Sequence, residues 1–330
     1  MNNEQLREVV RAAVRAPSVH NTQPWQFVSH LATPSEVDAI EVRADRSRSL
    51  QVIDPLGREL HMSCGAAIEL ARLAVRALGV RCDVELLPDP ADPDLLALLH
   101  PGAPEPPTEE ELRLHASAGA RYTERGGFDE RPVDEALREK MRLATAEQGV
   151  WLLYLDRPGD QVTTAVLLAR ADDIERSNPA YEQELAGWVR RQAEPDEGIP
   201  AAAVADQGAR VSSYRRREFL PDGPRAEPPE ASAGPPEAEH PLVCILGTEG
   251  DDPAAWLRTG QALGRLLLVA ADEGVSAAPM TQVIEVPATR SMLAAHLGLL
   301  GYPQIVLRMG YGHGSPTTGR RPLEDVLRDG

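Results

Sequence analysis

Five side chains with hydrogen-bonding chemistry crowd one stretch, Pro17-Ser18-Val19-His20-Asn21-Thr22-Gln23-Pro24, which leads into Trp25-Gln26-Phe27. Pro17 cannot continue the helix that the preceding residues favour, and Pro24 biases Gln23 toward an extended conformation. Ser18, His20, Asn21 and Gln23 therefore belong to a short ordered loop. They supply donors and acceptors beside backbone amides such as that of Val19. A loop of this kind suits a flat heteroaromatic ligand edged with carbonyls and ring nitrogens. The same residues also suit a helix-to-strand turn whose Ser and Asn bond only the local backbone.

Cationic chemistry is concentrated elsewhere. In Arg121-Tyr122-Thr123-Glu124-Arg125, two guanidiniums and a hydroxyl stand at alternate positions. On an extended chain that spacing lets Arg121, Thr123 and Arg125 converge on a phosphate, or else forms a solvated charged linker. Arg320 and Arg321 make a second basic pair, which by itself reads as a plain surface turn. Ala278-Pro279-Met280-Thr281-Gln282 reads by itself as an ordinary buried strand. Gly310-Tyr311-Gly312-His313-Gly314 follows a strand, but no glycine pattern opens a helix after it, so it is a weak dinucleotide-binding signal. His61 and Cys64 are three apart without further Cys or His nearby, which argues against a metal site.

The elements that must position these residues follow from periodicity. Leu6, Val9, Val10, Ala13 and Val14 recur at helical spacing up to Pro17. Strands are expected at Trp25–Val28, Ala39–Arg43 and Val84–Leu87, and a small-residue helix at Glu59–Leu78 ended by Gly79. Between Pro88 and Glu111 seven prolines surround one short apolar patch, Leu95–Leu99, a linker signature that places a domain boundary near residue 110. Beyond it come a helix opening at Glu135, a strand at Val150–Leu155, and helices at Val162–Glu175 and Tyr181–Gln192. A strand at Pro241–Gly247, a helix at Trp256–Asp272, an extended run at Ser276–Val283 and a last strand at Gln304–Met309 complete the pattern.

The two parts of the chain look alike. Gly65 and Gly79 bracket a small-residue helix followed by Val80; Gly260 and Gly274 do the same, followed by Val275, under a shift of 260 − 65 = 195. Ala67/Ala262 and Leu73/Leu268 coincide under that shift. Glu4-Gln5-Leu6-Arg7-Glu8 matches Glu135-Ala136-Leu137-Arg138-Glu139. This implies a duplication, with halves at 1–110 and 111–330 and an insertion at about 194–239. The insertion holds Arg215-Arg216-Arg217 and eight prolines, and reads as a lid or as a disordered surface loop. Two copies in one chain form internally the interface that a homodimer makes with itself. That implies a monomer acting as an internal pseudo-dimer, or a further homodimer.

Composition narrows the function classes. With 330 residues, 42% hydrophobic and 26% charged, the chain can bury a full core. A net charge of −17 argues against nucleic-acid binding and requires any anion site to concentrate its own positive charge. Three scattered cysteines fit a reducing, cytoplasmic setting. The polar first residues are no signal peptide, and the longest apolar run, Leu266–Ala271, is too short to span a membrane.

Ala16 to Trp25 resembles the A-P-S-x-x-N-x-Q-P-W segment of the nitroreductase family, and its H-N-T-Q-P-W spelling is similar to the Acg-type branch, in which one chain carries two nitroreductase-like halves. Arg121-Tyr122-Thr123-Glu124-Arg125, Phe128 and Arg131-Pro132-Val133 resemble that family's R-x-S-x-R…F…P-V opening, with Thr123 in place of Ser. The resemblance implies an α+β, nitroreductase-like fold with two pseudo-symmetric halves. It also implies FMN as cofactor, NAD(P)H as transient electron donor, and ping-pong hydride transfer through flavin N5 to or from a small organic substrate. The flavin ring would lie against Pro17, Ser18, Val19, His20, Asn21 and Gln23. Its phosphate and ribityl chain would meet Arg121, Thr123, Arg125, Arg320 and Arg321. Pro279, Met280, Thr281 and Gln282 match the segment facing N5, where Thr281-Gln282 departs from the family's Glu-Gly. No side chain is required as nucleophile; His20 is the one candidate proton donor. Two alternatives remain: a non-catalytic FMN-sequestering protein closed by the lid, and a Rossmann-type NAD enzyme using Gly310–Gly314.

Overall fold

The structure, a computed structural model, describes residues 1–33, 36–191, 196–201, 214, 215, 217, 219, 239–312, 314 and 318–329. Most of the expected lid at 194–239, including Arg216, and His313 of the glycine turn lie outside the described residues.

The first part runs α1 (Asn3–Ala13), β1 (Trp25–Thr33), β2 (Glu36–Ala44), α2 (Arg58–Ala77), β3 (Val80–Leu86), β4 (Leu95–Pro104) and α3 (Glu109–Ser117). Then come α4 (Glu135–Ala146), β5 (Trp151–Tyr154), α5 (Pro158–Arg176), α6 (Pro179–Gly187), and short β6 (Val189–Arg190) and β7 (Ile199–Pro200). The last part holds β8 (Leu242–Thr248), α7 (Pro253–Asp272), β9 (Ser276–Pro279), α8 (Gln282–Glu285), α9 (Pro287–Leu297), β10 (Tyr302–Gly310), α10 (Leu323–Val326) and β11 (Leu327–Asp329). Two sheets carry the architecture, in strand orders β11-β1-β2-β4-β3 and β5-β8-β10-β9. The chain's last strand pairs parallel with β1, Phe27 opposite Leu327, so the C-terminus closes the edge of the N-terminal sheet.

Three expectations are corrected. The proline-rich linker contains β4, an interior strand paired with β2 on one side and β3 on the other. Pro101 and Pro104 fall beyond Leu99, where the pairing to β2 has ended, so their missing N–H groups cost the sheet no bond on that side. Ser276–Val283 is extended only to Pro279; Ile284 and Glu285 donate their amides to the Thr281 carbonyl and open a short helix. The helix expected at Tyr181–Gln192 runs from Pro179 to Gly187 and gives way to the two-residue β6.

One core joins both sheets through α2 and α7. Nearly every residue of α2 is buried, including Arg58, Glu59 and His61, because the helix is covered on all sides. The two helices touch through glycine. A Cβ at Gly65 would fall 2.2 Å from the Leu257 carbonyl oxygen, and one at Gly260 would fall 2.1 Å from that of Met62. The contact is reciprocal under the 195-residue shift, since Met62 + 195 is Leu257 and Gly65 + 195 is Gly260. Main chains this close leave room for no other residue type.

Candidate functional site

Ser18 to Gln23 form a tight turn with backbone strain. His20, Asn21 and Gln23 all take positive φ, at 47°, 55° and 52°, which costs roughly 1–3 kcal/mol each and persists only where the surroundings enforce it. The enforcing bonds are present. The Gln23 amide donates to Ser18 Oγ at 3.0 Å, and the Val19 amide to Ser63 Oγ of α2 at 3.2 Å. Asn21 Nδ2 donates to the carbonyls of Gly198 and Gly319. The turn is thus held by residues far away in sequence, and its Ser and Asn do more than bond locally.

A cavity of about 180 Å³ opens beside this turn. It brings together Pro17, Ser18, Val19, His20 and Asn21 with Arg121, Thr123 and Arg125, with Pro279, Met280, Thr281 and Gln282, and with Arg320. Gln23 and Arg321 stand outside its wall and hold each other: the Arg321 amide donates to Gln23 Oε1 at 2.9 Å, and Arg321 Nη1 to the Gln23 carbonyl at 3.2 Å. These bonds tie the C-terminal segment to the turn.

At one end the cavity is strongly basic. Arg121 Nη2 and Arg320 Nη2 both donate to the Arg15 carbonyl, and Arg320 Nε to that of Val14, so both side chains reach the C-terminal end of α1. Thr123 pairs with Ala277 as a parallel bridge, and the Glu124 amide donates to the Ala277 carbonyl, which gives the Arg121–Arg125 stretch its extended form. Burial, then Arg320 and Arg125, push the Arg121 guanidinium down to about 9. Burial lowers Arg125 to about 10, and burial with Arg15 and Arg125 does the same for Arg320. The Arg121 Nε–H is buried with no acceptor. Crowded cations with an unused buried donor, beside the carboxylate of Glu124, are a setting that suits an anion.

The other end is a buried ionic cluster that the sequence reading missed. Arg217 donates to Glu285 Oε2 at 2.6 Å and to Thr281 Oγ1 at 3.3 Å, and lies 3.8 Å from Glu175. His20 Nε2 stands 3.2 Å from Arg217 Nη1, so that nitrogen accepts and the ring proton sits on Nδ1. Phe219 meets the His20 ring edge-on at 5.7 Å. Burial, then Arg217, push His20 down to about 3. An imidazole held there is neutral at physiological pH and accepts from Arg217 as a hydrogen-bonding ring. Its NMR signals are expected to stay unchanged between pH 8 and pH 4.5; a midpoint near 6.5 would contradict the buried placement.

Glu59, Met62 and Ser63 of α2 and Leu263 of α7 also line the cavity, as do Glu124 and Arg308. Helical positions among small apolar residues carried no signal for them, whereas Arg217 lies in a conspicuous three-arginine run. The glycine turn has no place in a Rossmann arrangement. After β10 the chain bridges at Gly312 to Phe128, and the next described helix opens only at Leu323.

No protein-family model matches the chain. It is 33% identical over 342 residues to the Mycobacterium tuberculosis (strain ATCC 25618 / H37Rv) protein named "Putative NAD(P)H nitroreductase Rv3131", covering 98% of this chain and 91% of that one. This chain belongs to the nitroreductase family. The nitroreductase-family protein named "Putative NAD(P)H nitroreductase acg" from the same strain is 29% identical over 99% of this chain and 96% of its own. Among solved structures, a nitroreductase from Desulfitobacterium hafniense DCB-2 with bound FMN aligns with a TM-score of 0.41, at 9% identity, over 66% of this chain and 97% of that one. Among the described residues of this nitroreductase-family chain, no helix is long and apolar enough to cross a membrane.

Proposed function

We propose that this chain is an FMN-dependent NAD(P)H oxidoreductase whose cavity holds one flavin. The observation that carries the reading is the convergence of Arg121, Arg125 and Arg320 on one cavity, their guanidiniums pushed down by burial and, for Arg121 and Arg320, by neighbouring arginines, in a chain of net charge −17. A phosphate monoester supplies the counter-charge and an acceptor for the buried Arg121 Nε–H. The Ser18–Asn21 turn would flank the ring, and the Pro279–Gln282 segment would present its backbone to the ring's reactive edge. Bound FMN supplies hydride exchange, taking two electrons and a proton from a reduced nicotinamide and passing them to a small organic acceptor in ping-pong order. The reciprocal Gly65–Gly260 contact supports two related halves at 1–110 and 111–330, folded against each other as one functional unit. Three unpaired cysteines support a reducing, cytoplasmic setting.

A second reading, non-catalytic FMN storage, is favoured by Ile199, Arg215, Arg217 and Phe219. These residues of the 194–239 stretch line the cavity themselves and would compete with a nicotinamide for its space. Anaerobic mixing with NADPH separates the two. Bleaching of the yellow protein within seconds is expected for a reductase; flavin that stays oxidised under excess NADH and NADPH contradicts turnover and leaves storage.

A further inference from the structure

Arg217 sits where a ligand would. It comes from the 194–239 stretch, not from the framework helices, yet its side chain is only 7% exposed and its guanidinium is held by the framework residues Glu285 and Thr281. Behind it stand Glu285 and Glu175, with side chains 3% and 7% exposed, which do not reach the cavity wall. Beside it stands Glu59, 3% exposed, which lines the cavity. One Glu59 oxygen accepts from Arg58 at 3.0 Å; the other, Oε2, is buried with no partner. Two buried carboxyl groups, Glu175 and Glu285, thus hold one guanidinium, and a third, Glu59 from another helix, leaves an unpartnered oxygen at the cavity face.

We propose that Glu59, Glu175 and Glu285 form a cation-recognition subsite at this end of the cavity, that Arg217 fills it as a built-in ligand, and that the second reactant is an organic cation whose ammonium or guanidinium takes the place of Arg217. The proposal rests on the reductase reading for the word "reactant"; the subsite itself does not depend on it. Charge balance favours a monocation. Burial, then Glu285, raise Glu59, whose charge Arg58 offsets at 3.0 Å; the same two causes raise Glu175 to about 10, so Glu175 is protonated at neutral pH. Burial pushes Glu285 up as well, but Arg217 outweighs it and holds Glu285 ionised. One negative charge then faces one positive charge, and an incoming monocation preserves that balance, whereas a neutral group would leave Glu285 buried without a counter-charge. A metal ion is a poorer occupant, since among the described residues no group of three His, Cys, Asp or Glu is placed to hold one. Phe219 and the edge-on His20 give the cation's carbon body an aromatic wall.

The test uses the full chain with its flavin and reads binding without NADPH. Arg217→Ala is titrated with methylguanidinium and with N-methylurea, its uncharged isostere, by calorimetry and thermal unfolding. The expected result is at least tenfold tighter binding of methylguanidinium, with a rise in midpoint that N-methylurea does not produce. That preference is expected to vanish in Arg217→Ala/Glu285→Gln. The unsubstituted chain is expected to bind neither, because its tethered guanidinium competes at high effective concentration. Equal affinity for the two probes in a folded Arg217→Ala protein overturns the proposal. Should that variant not fold, Arg217→Met, which keeps most of the side-chain bulk, is titrated with the same two probes. The same tenfold preference for methylguanidinium is expected, and equal affinity for the two overturns the subsite. A cation preference without any NADPH-dependent bleaching sinks the reductase reading alone, and bleaching without the preference sinks the subsite alone.

Discussion

Arg121→Ala is expected to abolish flavin retention while leaving the flavin-free chain folded and more stable than before. Truncating one partner of a buried, hydrogen-bonded charge pair costs about 2–5 kcal/mol, so FMN is expected to bind roughly 10²–10³-fold more weakly in equilibrium dialysis. The opposite sign in the flavin-free protein follows from the pKa. The Arg121 guanidinium falls from its usual value to about 9 through burial, Arg320 and Arg125. A base whose folded pKa is depressed is disfavoured in its charged form by folding. At pH 7 it is charged in both states, so it opposes folding, and removing it relieves that cost. The unfolding midpoint of flavin-free Arg121→Ala is expected to rise by about 2–4 °C for each kcal/mol relieved. Arg121→Lys keeps the charge but loses the planar fork, and is expected to restore only a small part of the affinity. A variant that binds FMN normally, or whose flavin-free form loses stability, would show that Arg121 is a structural residue and no phosphate ligand.

Gly260→Ala is expected to be among the most damaging single-methyl changes in the molecule. The new Cβ would lie 2.1 Å from the Met62 carbonyl oxygen and 2.8 Å from Gly65 Cα; both are backbone atoms and cannot rotate away. Overpacking costs about 1–3 kcal/mol or more, and a collision between two main chains belongs at the upper end. The expected fall in unfolding midpoint is about 6–10 °C. The damage should reach the cavity as well, because α2 carries Glu59, Met62 and Ser63 and α7 carries Leu263. Gly65→Ala meets the Leu257 carbonyl at 2.2 Å and is expected to act alike. The two changes together should cost less than their sum, because one separation of the helices relieves both clashes. Thermal unfolding of the three variants checks this, and a Gly260→Ala protein melting with the unsubstituted chain would mean that the α2–α7 contact is looser than described.

Much of this was legible in the sequence, for reasons that differ from residue to residue. The loop from Pro17 to Pro24 announced itself because prolines fix boundaries locally. Its positive φ angles did not, since they are imposed by Ser63, Gly198 and Gly319 across the fold. Gly65 and Gly260 could be matched by spacing, but that they face each other is a fact of tertiary packing. β4 was hidden by composition. Seven prolines between Pro88 and Pro107 read as a linker, and only the pairing of Leu95–Leu99 with two neighbours shows why the strand survives them. Arg121, Arg125 and Arg320 carried a recognisable pattern, whereas Gln23 and Arg321, equally conspicuous, turn out to hold each other outside the cavity. Glu59, Glu175 and Glu285 lie on three separate helices; no spacing along the chain connects them, and burial in one cluster is what makes them unusual.

FMN content is the measurement that bears most directly on the cavity. The protein purified in the dark, or loaded with FMN and then desalted, is denatured, and the released flavin is quantified against chain concentration. One FMN per 330-residue chain is expected, with the yellow colour lost in Arg121→Ala. A colourless protein that retains no FMN after loading, at a concentration where it is folded, would contradict the assignment of the arginine-lined cavity to a flavin.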